Sequence, residues 1–150
     1  MPIWSWLFET PLGVGIEAPD FSLADQDGNL IRLSAFRGRS HVVLVFYPGD
    51  ATNLCTKQLC EFRDSWGELI SRNFVVLGIN PQSAESHRKF AETQHYPFPL
   101  LVDKGQNVAR LYHASGFIVR RTVYVISKDG IVRFAERGKP STDTVLAAVR

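Results

Sequence analysis

The sequence predicts an α/β domain: a central mixed sheet flanked by helices on both faces, with a hairpin ahead of it. Three observations carry this. Two continuous apolar runs, residues 41–47 (HVVLVFY) and 73–80 (NFVVLGIN), read as strands buried on both faces. Segments with helical spacing alternate with these strands. Two further apolar runs close around Lys128-Asp129-Gly130, which adds an antiparallel edge.

The elements follow in order. Residues 21–33 alternate around Asp27-Gly28-Asn29 and read as the N-terminal hairpin. The 41–47 strand is broken by Pro48-Gly49-Asp50, after which Thr52 or Asn53 can cap a helix. Leu59, Phe62, Trp66, Leu69 and Ile70 then keep helical spacing, which predicts one helix running to about residue 70. The 73–80 strand follows, then a helix over 83–95 whose start is rich in capping residues. A short strand over 98–102, a short helix over 106–112, the hairpin of 122–127 with 131–136, and a closing helix over 141–149 complete the order.

Composition sets the bounds. The chain has 150 residues, 45% of them hydrophobic and 21% charged, which fits a single domain over 1–150 that buries a core without metal or disulfide staples. Two cysteines exclude a disulfide-dense secreted scaffold, and four scattered histidines offer no zinc-ligand spacing. The net charge is +2; residues 1–50 carry three basic and six acidic side chains, residues 101–150 nine and four. The basic residues are spread out, so neither a nucleic-acid nor a membrane partner is expected. Residues 1–8 are apolar, but no Lys or Arg precedes them and they are too short to span a bilayer. Trp4, Trp6 and Phe8 alternate, which predicts an edge strand or a stripe packed on the body, with membrane or partner contact as the alternative. The expected compartment is the cytoplasm, where thiols stay reduced.

The chemistry concentrates at Cys55. It falls in the first turn of the helix that follows the Pro-Gly turn, where unpaired backbone N–H groups and the helix dipole favour a thiolate. A buried cysteine packed as a small hydrophobe is the competing reading, because Cys55 shares a face with Leu59 and Phe62. Cys60 lies five residues on. In an ideal helix such a pair has Cα atoms ~8.6 Å apart, beyond the roughly 7 Å that a disulfide allows. A bridge between them therefore requires the first helical turn to unwind.

The run YPGDATNLCTKQLCEFRD, residues 47–64, resembles the peroxiredoxins. Their P-x3-[TS]-x2-C signature is met by Pro48, Thr52 and Cys55, and the following C-T-x3-C-x-F-R-D resembles the bacterioferritin comigratory protein and peroxiredoxin Q branch. Gly15 to Phe21 (GIEAPDF) is similar to the opening G-x2-A-P-D-F, and Arg121, three residues before Tyr124, stands where the family keeps an active-site arginine. The chain departs from the pattern at Asn53-Leu54, where many relatives have Pro-Val or Pro-Gly, and the 113–119 stretch is short.

The resemblance implies a thioredoxin-like fold and a peroxidase that reduces hydrogen peroxide and small organic hydroperoxides. It implies Cys55 as the attacking thiol, with Thr52 and Arg121 acting on the peroxide oxygens and Pro48 shaping the pocket. Cys60, the other thiol of the sequence, is then the expected partner that resolves the Cys55 sulfenic acid into an intramolecular disulfide, the alternative being an external thiol or Cys60 of another subunit. Thioredoxin or a similar dithiol protein would be the reductant. No metal, haem or flavin is implied, and a monomer or weak homodimer is expected. The alternatives are a thiol–disulfide oxidoreductase, which would lack its usual C-x2-C, and a redox sensor on the same fold.

Overall fold

The computed structural model describes residues 9–149. The expected stripe of Trp4, Trp6 and Phe8 lies outside them. The N-terminal hairpin forms as β1 (Ser22–Ala24) and β2 (Leu30–Arg32), paired antiparallel with Leu23 opposite Ile31. The central sheet is built from β3 (His41–Phe46), β4 (Phe74–Asn80), β5 (Leu100–Val102), β6 (Thr122–Ile126) and β7 (Val132–Arg137), in the order β5-β4-β3-β6-β7. β3, β4 and β5 run parallel; β6 and β7 run against them. The sheet is therefore mixed, as the alternation and the closing hairpin predict.

β3 is the middle strand, and its period of two divides the core. Val43, Val45 and Tyr47 point to one face and pack with Leu59, Phe62, Phe90, Phe98 and Val145. Val42, Leu44 and Phe46 point to the other and pack with Leu101, Val108, Tyr112 and Tyr124. The first layer is covered by α1 (Asn53–Asp64), α2 (Trp66–Ser71), α3 (Ala84–Gln94) and α5 (Thr142–Ala147), the second by α4 (Asn107–Leu111) and residues of the hairpin region such as Phe21 and Leu33. Ser83 and Ser141 cap α3 and α5 by accepting from the N–H groups of Ser86 and Thr144. Among the described residues no helix is long and apolar enough to cross a membrane.

Two features differ from the sequence reading. The single helix expected to run to residue 70 is two, broken at Ser65 (φ −99°, ψ 11°). The break re-aims the chain so that Trp66 packs on Phe98, with ring centroids 5.7 Å apart, and Leu69 is fully buried, while Ile70 is left 48% exposed. A short 3-10 turn over Leu33–Phe36, not foreseen, follows the hairpin and buries Leu33.

Gly78 in β4 leaves room for the Leu100 and Tyr47 side chains. A Cβ there would stand 2.7 Å from Leu100 Cδ2 and 3.2 Å from Tyr47 Cε1, both in fully buried side chains. Gly78→Ala is expected to destabilise the protein by about 1–3 kcal/mol through overpacking, measured as a shifted urea midpoint at unchanged slope.

Candidate active site

Cys55 is the third residue of α1 and has no exposed surface. Thr52 is the N-cap residue with extended backbone (φ −76°, ψ 151°), and Thr52 O accepts from Thr56 N at 2.9 Å to open the helix. Its hydroxyl does not cap; it donates to Gly49 O at 3.4 Å. The N–H groups of the first turn, that of Cys55 among them, are thus left without an intrahelical acceptor or a side-chain cap from Thr52.

Arg121 reaches the same point from the far end of the sequence. β6 pairs antiparallel with β3, with Thr122 opposite Phe46, so the residue before Thr122 falls beside the turn that leads into α1. Arg121 Nη2 donates to Cys55 Sγ at 3.1 Å, and Nη1 donates to Gln58 Oε1 at 2.6 Å. Gln58 in turn donates to Gly138 O at 3.4 Å and is almost fully buried. It lies three residues after Cys55, on the same helix face. Arg120, one residue earlier, turns the opposite way: its guanidinium donates to the carbonyls of Ser115 and His113 and to Glu9. The two adjacent arginines therefore serve different partners at the entry to β6.

The turn before α1 is held by a buried carboxylate. Asp50 Oδ1 accepts from Tyr47 OH at 2.6 Å and Asn80 Nδ2 at 3.1 Å; Oδ2 accepts from Ser86 Oγ at 2.7 Å and meets His87 Nδ1 at 2.6 Å. The other His87 ring nitrogen meets Leu101 O at 2.9 Å, and the ring is fully buried. Both ring nitrogens thus face oxygen atoms, one of a carboxylate and one of a backbone carbonyl. Burial pushes the Asp50 carboxyl up, but hydrogen bonds from His87, Tyr47 and Ser86 outweigh it and hold the group below its ordinary value. The next residue, Ala51, has φ 62°. That left-handed backbone costs an alanine about 1 kcal/mol or more.

Cys60 faces away from Cys55. Both are free thiols on the continuous helix α1. Cys60 Sγ lies 3.5 Å from Gln94 Oε1 and 3.5 Å from Tyr96 OH, on the side of α1 turned to the end of α3. Pro48 stands half-buried in the turn after β3. Cys55 and Arg121 are therefore brought into contact, Thr52 and Pro48 lie in the turn beside them, and Cys60 is held apart.

Residues 14–135 match the AhpC/TSA family. The chain is a member of that family. It is 41% identical over 124 residues to a putative chloroplastic peroxiredoxin Q of Oryza sativa subsp. indica, covering 80% of this chain and 57% of that protein. The chain thus spans little more than half the length of the plant relatives. It is 36% identical over 145 residues to a putative peroxiredoxin of Mycobacterium tuberculosis, covering 91% of this chain and 92% of that one. Among solved structures, peroxidoxin BcpB from M. tuberculosis superposes with a TM-score of 0.86 at 33% identity, over 91% of this chain and 96% of that one. The Xanthomonas campestris bacterioferritin comigratory protein superposes with a TM-score of 0.81 at 26% identity, over 91% and 96%. The thioredoxin-like fold and the peroxiredoxin Q and bacterioferritin comigratory resemblance both hold.

The peroxiredoxin signature in the sequence does not reveal Gln58 or the Asp50–His87 pair. Gln58 had one signal, a polar side chain at i+3 from Cys55 on an otherwise apolar face. Asp50 and His87 had none, being 37 residues apart and joined only through the fold.

Asp50→Ala leaves four donors without their acceptor and is expected to cost about 3–5 kcal/mol at neutral pH, read from urea unfolding. Because the folded-state value of Asp50 is lowered from 3.8, its stabilisation is complete above 3.8 and is lost as pH falls through the lowered value. The gap between wild type and Asp50→Asn should accordingly be widest near neutrality and narrow below pH 3.8.

Proposed function

We propose that the chain is a thiol-dependent peroxidase acting on hydrogen peroxide and small organic hydroperoxides. The observation that carries the reading is the 3.1 Å contact between the Arg121 guanidinium and Cys55 Sγ at the start of α1. Peroxide reduction is an in-line attack of a thiolate on one oxygen, with the second oxygen leaving as hydroxide or alkoxide. It needs an ionised sulfur, a held peroxide, and positive or N–H groups where the leaving oxygen gains charge.

A guanidinium and the N–H groups of a helix start supply these groups around a sulfur that is itself fully buried. Gln58 fixes the second arm of Arg121, leaving the first aimed at the sulfur. The Thr52 hydroxyl, now on Gly49 O, can turn to the peroxide. Pro48 restricts the turn. Cys55 has no exposed surface, so peroxide access depends on movement of that turn or of Arg121.

Attack leaves Cys55 as a sulfenic acid. Cys60 then resolves it: the S–S bond forms, the S–O bond breaks, and the Cys60 proton leaves with the hydroxide as water. The two thiols lie on different sides of α1, so this step requires the helix to unwind locally. A thioredoxin-type dithiol then reduces the disulfide. The protein works as a monomer or weak homodimer, and a cytoplasmic setting keeps its thiols reduced between turnovers.

Cys55→Ser should abolish peroxide-dependent NADPH oxidation coupled through thioredoxin and its reductase while leaving the fold intact; substantial residual turnover would overturn the assignment. Losing one donor to a developing oxyanion costs ~2.7–4 kcal/mol, so Arg121→Ala should slow peroxide attack by about a hundredfold or more. Arg120→Ala should change it far less, and the reverse ranking would move the site by one residue. After one equivalent of peroxide, mass spectrometry should find wild type lighter by two hydrogens and Cys60→Ser heavier by one oxygen. Bridging only between chains would refute intramolecular resolution.

A further inference from the structure

The stripe of α1 opposite Cys55 is fastened to the segment between α3 and β5, and the fastening centres on Tyr96. His95 takes a left-handed backbone (φ 56°) as the C-cap of α3, and Tyr96 N donates to Ala91 O at 3.0 Å, which turns the Tyr96 ring back under α1. The ring is held on two sides. It stacks on Phe98 with centroids 5.2 Å apart and an interplanar angle of 17°, and it meets Phe90 edge-on at 5.1 Å and 89°. Its hydroxyl has a fixed direction as a result, and that direction is α1.

Tyr96 OH donates to Thr56 O at 3.4 Å and lies 3.5 Å from Cys60 Sγ. Gln94 Oε1 accepts from the same thiol at 3.5 Å, and Arg63 Nη1 donates to Gln94 O at 2.7 Å. Thr56, Cys60 and Arg63 are spaced i, i+4, i+7, one face of the helix. Burial, with the hydrogen bond to Cys60 adding to it, raises the Tyr96 hydroxyl well above its ordinary value, so it stays protonated and able to donate. In an ideal helix Cys60 is turned about 140° from Cys55. The sulfurs can meet only if this stripe lets go.

We propose that Tyr96 is a positioning residue that sets the rate at which Cys60 resolves oxidised Cys55, by pinning the Cys60 thiol and the Thr56 carbonyl to the connection between α3 and β5. The inference rests on the proposed role of Cys60 as resolving thiol. While the pin is closed, α1 is intact and the Cys55 sulfenic acid waits. In that interval a second peroxide can convert it to sulfinic acid, gaining one oxygen and releasing water from hydrogen peroxide. The strength of the pin thus divides the sulfenic acid between disulfide and over-oxidation.

Tyr96→Phe removes the hydroxyl and keeps the ring in its stack. A net hydrogen bond of ordinary strength corresponds to roughly a three- to tenfold change in an opening equilibrium. In single-turnover stopped-flow with hydrogen peroxide, the variant should form sulfenic acid at the wild-type rate and the disulfide about three- to tenfold faster. The sulfinic fraction at a fixed excess of peroxide should fall accordingly. Gln94→Leu removes one acceptor, leaves the Thr56 contact, and should accelerate the disulfide step less. Disulfide formation in Tyr96→Phe at or below the wild-type rate would overturn the proposal.

Amide exchange in the reduced protein separates this failure from that of the resolving-thiol reading. Faster exchange over residues 56–60 in Tyr96→Phe is expected whether or not Cys60 resolves, and unchanged exchange there overturns the pin. Wild type that forms no Cys55–Cys60 bridge overturns the resolving reading, and the proposed effect on its rate falls with it.

Discussion

The pairing of β3 with β6 places Phe46 opposite Thr122, and the site depends on that register. The strands run antiparallel, so the last residue of β3 and the first of β6 share one end of the sheet. The chain leaves β3 through Pro48 into the turn before α1, and Arg121 stands at the matching point before β6. A slip of one residue would exchange Arg121 for Arg120 and direct the wrong guanidinium at Cys55. The register is fixed by burial on both faces: Val42, Leu44 and Phe46 on one side and Val43 and Val45 on the other are all within a percent of fully buried. The core thus determines which arginine meets the sulfur.

The turn between β3 and α1 is short and strained, and the Asp50 network holds it. Tyr47 comes up from the sheet, Asn80 from the end of β4, and Ser86 and His87 from the first turns of α3. Three separate elements converge on one carboxylate. Their bonds offset both the desolvation of Asp50 and the left-handed backbone of Ala51. The network ties the turn before α1 to β4 and α3, and Cys55 follows Asp50 by five residues. Gly78 contributes by leaving room for the Tyr47 ring whose hydroxyl reaches Asp50.

α1 therefore has two chemically distinct sides. One carries Cys55, Gln58, Leu59 and Phe62 into the core and toward Arg121. The other carries Thr56, Cys60 and Arg63 against Tyr96 and Gln94. The geometry that aims the Cys55 sulfur at its arginine is the same helical geometry that keeps the two thiols apart. One helix thus holds one thiol against a guanidinium and the other against a tyrosine hydroxyl.

Much of the fold was legible because its signals are local. The apolar runs of 41–47 and 73–80, the Asp27-Gly28-Asn29 and Lys128-Asp129-Gly130 turns and the serine caps each act within a few residues, and the structure contains the corresponding strands, hairpins and helices. The signature from Pro48 to Cys55 is local in the same sense. The break at Ser65 was not legible, because helical spacing continues through it and the packing of Trp66 on Phe98 joins residues 32 positions apart. Nor were Gln58 as the partner of Arg121, His87 as the partner of Asp50, or Tyr96 as the partner of Cys60. These contacts join residues 63, 37 and 36 positions apart. Local chain chemistry determined where strands, turns and a cysteine at a helix start could stand. Strand register and helix packing decided which distant side chains surround that thiol, because such contacts exist only once the sheet has closed and the core has fixed its order.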